Sequence, residues 1–233
     1  MKNPLPYIAL ILLSLVAMAG MVPVKKIDPV DLAYVKEQVL DPSSPYYYPT
    51  LMQRFEKNET IMTTMDYRML YLGTMFQEDY NPYRSSEFTD KVEPLTFKEH
   101  HTRAELDTMI KYTRLALDDT PFDLSQMNFL IYALREKGKV NLANIWQYRM
   151  NRLLESIVAT GVPGDTANAW YVIYPRDEAA IINLSSKKVQ SLKPSFVEPY
   201  FDRIEVTDDQ GKQQEFYFNI KTVLEEFNRK HPE

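Results

Sequence analysis

The sequence predicts an α+β protein in which an N-terminal stack of antiparallel helical hairpins is followed by a small antiparallel β unit and a C-terminal helix. Three observations predict it. Capping residues precede apolar stripes of helical period through about residue 158. Gly161, Pro163 and Gly164 then break that period. Beyond the break the apolar residues come in short runs and in alternation, and Asp208-Asp209-Gln210-Gly211 divides two of those runs as a hairpin turn would. Helices first and strands later fit α+β better than alternating βαβ units.

The N-terminus stands apart. Lys2 precedes an uncharged apolar run from Leu5, and Ala17-Met18-Ala19 before Gly20 supplies the small residues that a signal peptidase accepts. Residues 1–19 are therefore expected to be a removed signal peptide. The alternative is an uncleaved anchor from Leu5 to Val24, flanked by Lys25-Lys26, although Pro4, Pro6 and Pro23 shorten its helical stretch. Both readings export the rest of the chain to the periplasm or the extracellular space. That remainder divides into a helical-hairpin domain at 27–160 and a small α+β unit at 164–233 packed on it.

Asp28-Pro29 marks a first helix over 29–40, with Leu32, Val35, Val39 and Leu40 on one face. A short helix is expected over 50–57. Thr63 and Asp66 form a capping-box start for a helix carrying Met65, Met69, Leu72 and Phe76. An irregular connection of about 20 residues, longer than most loops, follows through Asn81-Pro82-Tyr83 and Pro94. Thr102 with Glu105 opens the next helix and Asp123 with Gln126 the one after, which Gly138 closes. Asn141 opens a third, with Leu142, Trp146, Met150, Leu153 and Ile157 at helical intervals. Past the break, Trp170 to Tyr174 and Ala179 to Leu184 read as strands. Asp202 to Thr207 and Gln213 to Asn219 read as a hairpin, and 220–230 as a final helix.

Over 102–158 the spacing resembles a tetratricopeptide repeat. Ala116-Leu117 precede Pro121, and Leu130, Gly138 and Ala143 hold one register at positions where paired helices must approach closely. Leu72-Gly73 looks like another first helix but does not lie one repeat length before Leu130. Met127 and Gln147 also replace the expected aromatics. Ordinary antiparallel helix packing would satisfy much of the same pattern.

Composition excludes several classes. A net charge of −5 and a pI near 5.4 argue against nucleic acid and against an electrostatic hold on anionic lipid. The absence of cysteine removes a lipidated cysteine anchor, thiol catalysis and thiolate metal sites. None of the six glycines forms a phosphate-cradling loop, so no nucleotide cofactor is expected. His100, His101 and His231 lack ligand spacing, and Asp208 to Gly211 lacks the further acids of a calcium loop, so no metal is expected either. Ser185 and Lys188 have Ser-x-x-Lys spacing but none of the partner motifs of serine–lysine acylases. Asn58-Glu59-Thr60 and Asn183-Leu184-Ser185 fit the glycosylation sequon.

The aromatic–acidic segments carry the functional expectation. Tyr46, Tyr47 and Tyr48, with Glu78, Asp79, Tyr80, Tyr83 and Arg84, fall in irregular stretches. Tyrosine suits recognition because it buries area while keeping a polar tip. These residues are expected to bind another envelope protein, or a peptide or glycan, unless their rings serve to pack loops onto the helices. The strings Tyr46-Tyr47-Tyr48-Pro49 with Arg54-Phe55, Asp66-Tyr67-Arg68 with Leu70-Tyr71, Gln77 to Tyr83, Gly164-Asp165 and Tyr217-Phe218-Asn219 resemble a bacterial family, domain of unknown function 4919. The resemblance covers about 28–228 and implies an envelope or secreted location, with no activity to carry over. A non-catalytic binding or scaffolding protein of the cell envelope is the leading expectation. The alternatives are an envelope hydrolase using scattered carboxylates such as Glu78, Asp79 and Asp165, or a periplasmic small-ligand binder.

Overall fold

A computed structural model describes residue 27 and residues 29–185 and 189–232. The expected signal peptide, Asp28 and Lys188 lie outside the described residues. Nine α-helices and a four-stranded mixed sheet, counted among the described residues, form the α+β arrangement.

Helix α1 (Leu32–Leu40) starts later than expected because Asp31 is the cap: its carboxylate accepts from the Tyr34 amide at 3.0 Å. Helix α2 (Tyr48–Glu56) places Pro49 in its first turn, where a missing N–H costs nothing. Helix α3 (Thr64–Gly73) has the full capping box of Thr63 and Asp66 and is buried from Asp66 to Gly73. It is the central helix, and Gly73 is required there: a Cβ would sit 2.7 Å from Val39 Cγ1 of α1. A 3₁₀ turn follows (Thr74–Phe76).

The long connection is not wholly irregular. Thr89–Thr96 form helix α4 with Pro94 inside it. Burial of Val92 and Thr96 outweighs the backbone bond that Pro94 forgoes. Helices α5 (Arg103–Asp119), α6 (Leu124–Glu136) and α7 (Val140–Val158) pack consecutively. Thr102 and Glu105 make a capping box, Asp123 caps α6, and Gly138 takes the left-handed φ of 73° that ends it. Ala116 and Ala143 are fully buried. Helix α7 begins at Val140, one residue before the expected Asn141, without a side-chain cap.

The second half departs more from expectation. The strand expected at Trp170 to Tyr174 shrinks to β1 (Trp170–Tyr171). The Ile173 peptide has no strand partner because tyrosines serve it: its N–H donates to the Tyr71 hydroxyl at 3.2 Å, and its carbonyl accepts from the Tyr80 hydroxyl at 2.5 Å. The strand expected at Ala179 to Leu184 is helix α8 (Glu178–Ser185), reached through a 3₁₀ turn (Pro175–Asp177). A short, wholly apolar run carries no period, and burial of Ala180, Ile181 and Ile182 is met by a helix as well as by a strand.

Strand β2 (Val189–Val197) has no sequence signal, because its Ser, Lys and Pro residues fit a sheet edge rather than an apolar run. Strands β3 (Phe201–Asp208) and β4 (Gln213–Asn219) form the expected hairpin, and helix α9 (Lys221–Lys230) ends the chain. The order is β1-β4-β3-β2, with β1 parallel to β4 and the other pairs antiparallel. Ile204, Val206, Phe216 and Phe218 face inward, and Trp170 packs on both phenylalanines. One apolar cluster runs from α1 through the helices to the sheet, with Phe122 meeting both Phe55 and Tyr71.

Candidate functional site

A cleft of about 360 Å³ opens between the segment joining α2 to α3 and the outer face of α7. Its geometry begins with the end of α2. Asn58 turns the chain with a left-handed φ of 57°, a conformation asparagine tolerates. The turn closes with the Asn58 amide donating to Phe55 O and the Glu59 amide to Arg54 O, both at 3.1 Å, and the Phe55 and Glu56 carbonyls can take a further donor. Arg149 of α7 meets them: one guanidinium nitrogen, Nη2, donates to Phe55 O at 2.7 Å and to Glu56 O at 3.1 Å. The same guanidinium lies between the Phe55 ring at 4.5 Å and the Trp146 ring at 4.6 Å. A cation at the negative end of a helix, sandwiched by two rings, makes a rigid floor.

The walls are apolar and aromatic. Tyr67 is buried, which pushes its hydroxyl up to about 12. Ile145 and Tyr148 project from α7, with Arg152 over the Tyr148 ring and paired to Glu155 at 2.7 Å. Asn58, Thr60 and Asn144 provide polar groups at the rim. Close in sequence to the lining residues, Ile61 is 75% exposed, and Met65 of α3 and Val140 and Leu142 of α7 are also open to solvent.

The tyrosines singled out in the sequence lie elsewhere, around the 3₁₀ turn that follows α3. Tyr48 is part-buried, shares a hydrogen bond with Thr74 at 3.3 Å, and its hydroxyl is pushed up to about 12 by burial. The nearby Asp79 carboxylate adds to that rise. Tyr80 is buried, stacks on Tyr174 with centroids 6.3 Å apart, and lies under Lys230. Tyr46 packs against the core and Tyr47 is half-buried just ahead of α2. Glu78, Asp79, Tyr83 and Arg84 are exposed. Tyr83 sets its ring edge-on to Phe227, and the Arg84 carbonyl accepts from Arg176. The structure thus groups Tyr48, Asp79 and Tyr80, while Tyr83 and Arg84 continue along the loop toward α9.

The carboxylates named for a hydrolase do not converge on shared contacts. Asp165 accepts from the Ala167 amide at 2.8 Å and from the Asn168 side chain at 2.6 Å, which organises its own loop. The structure instead buries a different acidic set, which the sequence alone does not point to: Asp123, Asp177 and Glu178, with Asp202 half-buried beside Glu178. Asp177 is 1% exposed and neither carboxylate oxygen has a well-formed hydrogen bond. Burial, then the adjacent Asp123, push it well above the carboxylate range. Burial pushes Glu178 up to about 10, helped by the Asp202 carboxylate beside it. The available signal was Asp177-Glu178 placed directly before a wholly apolar run.

Among the described residues, no group of three or more histidine, aspartate or glutamate side chains is placed to hold a metal. No helix among them is long and apolar enough to cross a membrane. Neither the curated proteins nor the solved structures contain a match to the chain. The sequence model of one family does match, across residues 33–229. The span takes in every helix from the first turn of α1 and every strand, so the chain belongs to the family described as domain of unknown function (DUF4919).

Proposed function

We propose that this protein is a non-catalytic binding or scaffolding protein of the cell envelope, and that it holds an apolar segment of a partner protein in the cleft between residues 58–67 and α7. The observation that carries the reading is the set of aliphatic and aromatic side chains left exposed around a pre-formed cleft. A glycan needs flat rings flanked by paired polar groups. Ile61, Met65, Val140, Leu142 and Ile145 suit a protein partner better. The floor needs no rearrangement, because Arg149 already ties α2 to α7, and pre-organisation of this kind lowers the cost of binding. In this reading α5, α6 and α7 are a tetratricopeptide-like stack, and α7 offers its outer face where a further repeat would pack. Residues 1–19 direct export and are then removed.

The test places a photo-crosslinking residue at Tyr148 and, separately, at Tyr47, in the native envelope. The partner segment crosslinked at position 148 is then made as a synthetic peptide and titrated against the purified protein. Binding should weaken at least tenfold with Ile145→Asp, with no change in thermal midpoint beyond a few degrees. Crosslinks confined to position 47, or a peptide that binds Ile145→Asp as well as wild type, would refute the cleft.

A further inference from the structure

The buried acids sit where the helical unit, α8 and the sheet meet. Asp123 is the N-cap of α6, Asp177 ends the 3₁₀ turn, Glu178 begins α8, and Asp202 lies near the start of β3. Asp123, Asp177 and Glu178 are each less than a tenth exposed. Arg176 is the cation set against Asp123 and Asp177, at 3.5 Å from Asp123 Oδ2, and it is also committed to the Arg84 carbonyl and the Tyr174 ring. Tyr71 and Tyr174 are the neutral hydroxyl groups facing Asp177. Two buried acids beside one partly exposed guanidinium cannot both ionise cheaply. The contact between the Glu178 and Asp202 carboxyls likewise requires a proton, because two carboxylates have no donor between them.

We propose that Asp123, Asp177, Glu178 and Asp202 form a proton-held joint between the helices and the sheet, closed while its inner carboxyls are protonated and loosened as they ionise. Asp177 and Glu178 retain their protons in the folded chain. Glu178 donates its proton to Asp202, which bonds α8 to β3. Asp177 stays neutral because it is buried without a well-formed hydrogen bond, and because the helix terminus beside it is already capped by the Asp123 carboxylate. The Leu124 amide favours the charged form of Asp177 only partly.

The sign follows from linkage. Both groups hold protons more tightly when folded, so the stability they confer is complete below the unfolded carboxyl range. It declines as the pH rises, for Glu178 until about 10. Each retained proton makes the folding equilibrium constant fall about tenfold per pH unit across that window. The experiment is urea unfolding of the full chain at several pH values from 6 to 9, for wild type, Glu178→Gln and Asp177→Asn. Amides mimic the protonated acids in shape, so both variants should fold. Each should flatten the slope by about tenfold per unit. A wild-type equilibrium constant independent of pH, or variants that keep the wild-type slope, would overturn the joint. The infrared spectrum of native wild type at pH 8 gives a second check that needs no variant. A protonated-carboxyl band is expected, and its absence overturns the proposal.

Discussion

Arg149 and Asp177 are both buried charged residues at junctions between elements, and the chain treats them oppositely. Arg149 reaches a helix end closed by its own backbone but with acceptor capacity left over: Phe55 O and Glu56 O of α2 receive its guanidinium, and the Phe55 and Trp146 rings lie against it. Burial lowers its pKa, but a guanidinium holds its proton so tightly that it stays charged. Asp177 reaches a helix end that is already occupied. Asp123 caps α6 and takes the Gln126 amide at 2.9 Å, so the positive end of that helix is already matched when a second acid arrives. A helix terminus can hold one buried charge of the fitting sign, and the next one is neutralised. The variants below test that rule.

The largest effect is expected where the buried charge does structural work. Arg149→Leu removes the guanidinium donor from Glu56 O and from Phe55 O, which the Asn58 amide still serves, together with the contacts on two rings. A loss of about 3 kcal/mol follows from the lost charge-assisted hydrogen bonds and cation–π contacts, read as a lower urea midpoint. Asp177→Asn should cost little or raise the midpoint at pH 8, since it removes the need to hold a proton. Equal losses from the two substitutions would break the contrast.

A middle-sized effect concerns the tyrosines between the two sites. Tyr80→Phe strips the Ile173 carbonyl of its donor, and Tyr71→Phe strips the Ile173 N–H of its acceptor. Each should cost about 1–3 kcal/mol as an unsatisfied buried polar group. The two bonds meet on one residue, at the successive peptide groups that flank the Ile173 α-carbon, so the double variant should lose less or more than the simple sum. Strict additivity would mean that the two hydroxyls hold the loop independently.

These residues also explain which parts of the fold could be read in advance. Thr63, Thr102 and Asp123 satisfy amides three residues away, so their helices announce themselves in a short window. The Ile173 peptide is satisfied by hydroxyls 102 and 93 residues distant, and no local window contains that fact. Helix α8 reads as a strand for a related reason: its run Ala179 to Ile182 is wholly apolar and mostly buried, and offers no clear polar face to give it a period. Helix α4 defied its proline because packing, and not propensity, holds it. The acids at 177 and 178 lay in plain view, but their burial depends on Asp123 and Asp202 arriving from other elements. The exposed apolar face of α7 was legible only as a helical stripe, since Leu142 counted as core and stands in solvent.

The smallest effect sharpens the comparison by setting one acid against another. Glu105 lies partly exposed at the surface and is supplied with donors: the Lys98 ammonium first, then the Thr102 amide and hydroxyl, pull its carboxyl down to about 2. Glu178 is enclosed and shares one proton with a neighbouring acid. Their linkage must therefore run in opposite directions. A depressed folded value means that Glu105 contributes stability above the unfolded carboxyl range, and that this is lost as the pH falls toward 2. Glu105→Gln should make the midpoint fall less steeply between pH 4 and 2.5 and leave the slope above pH 6 unchanged, whereas Glu178→Gln should do the reverse. The Glu105 effect should be slight and should fade in added salt, because an exposed ion pair is screened. A Glu105→Gln variant that altered the alkaline limb would mean that the capping box and the buried joint are coupled through α5 and α6, and the two acids could no longer be treated as independent.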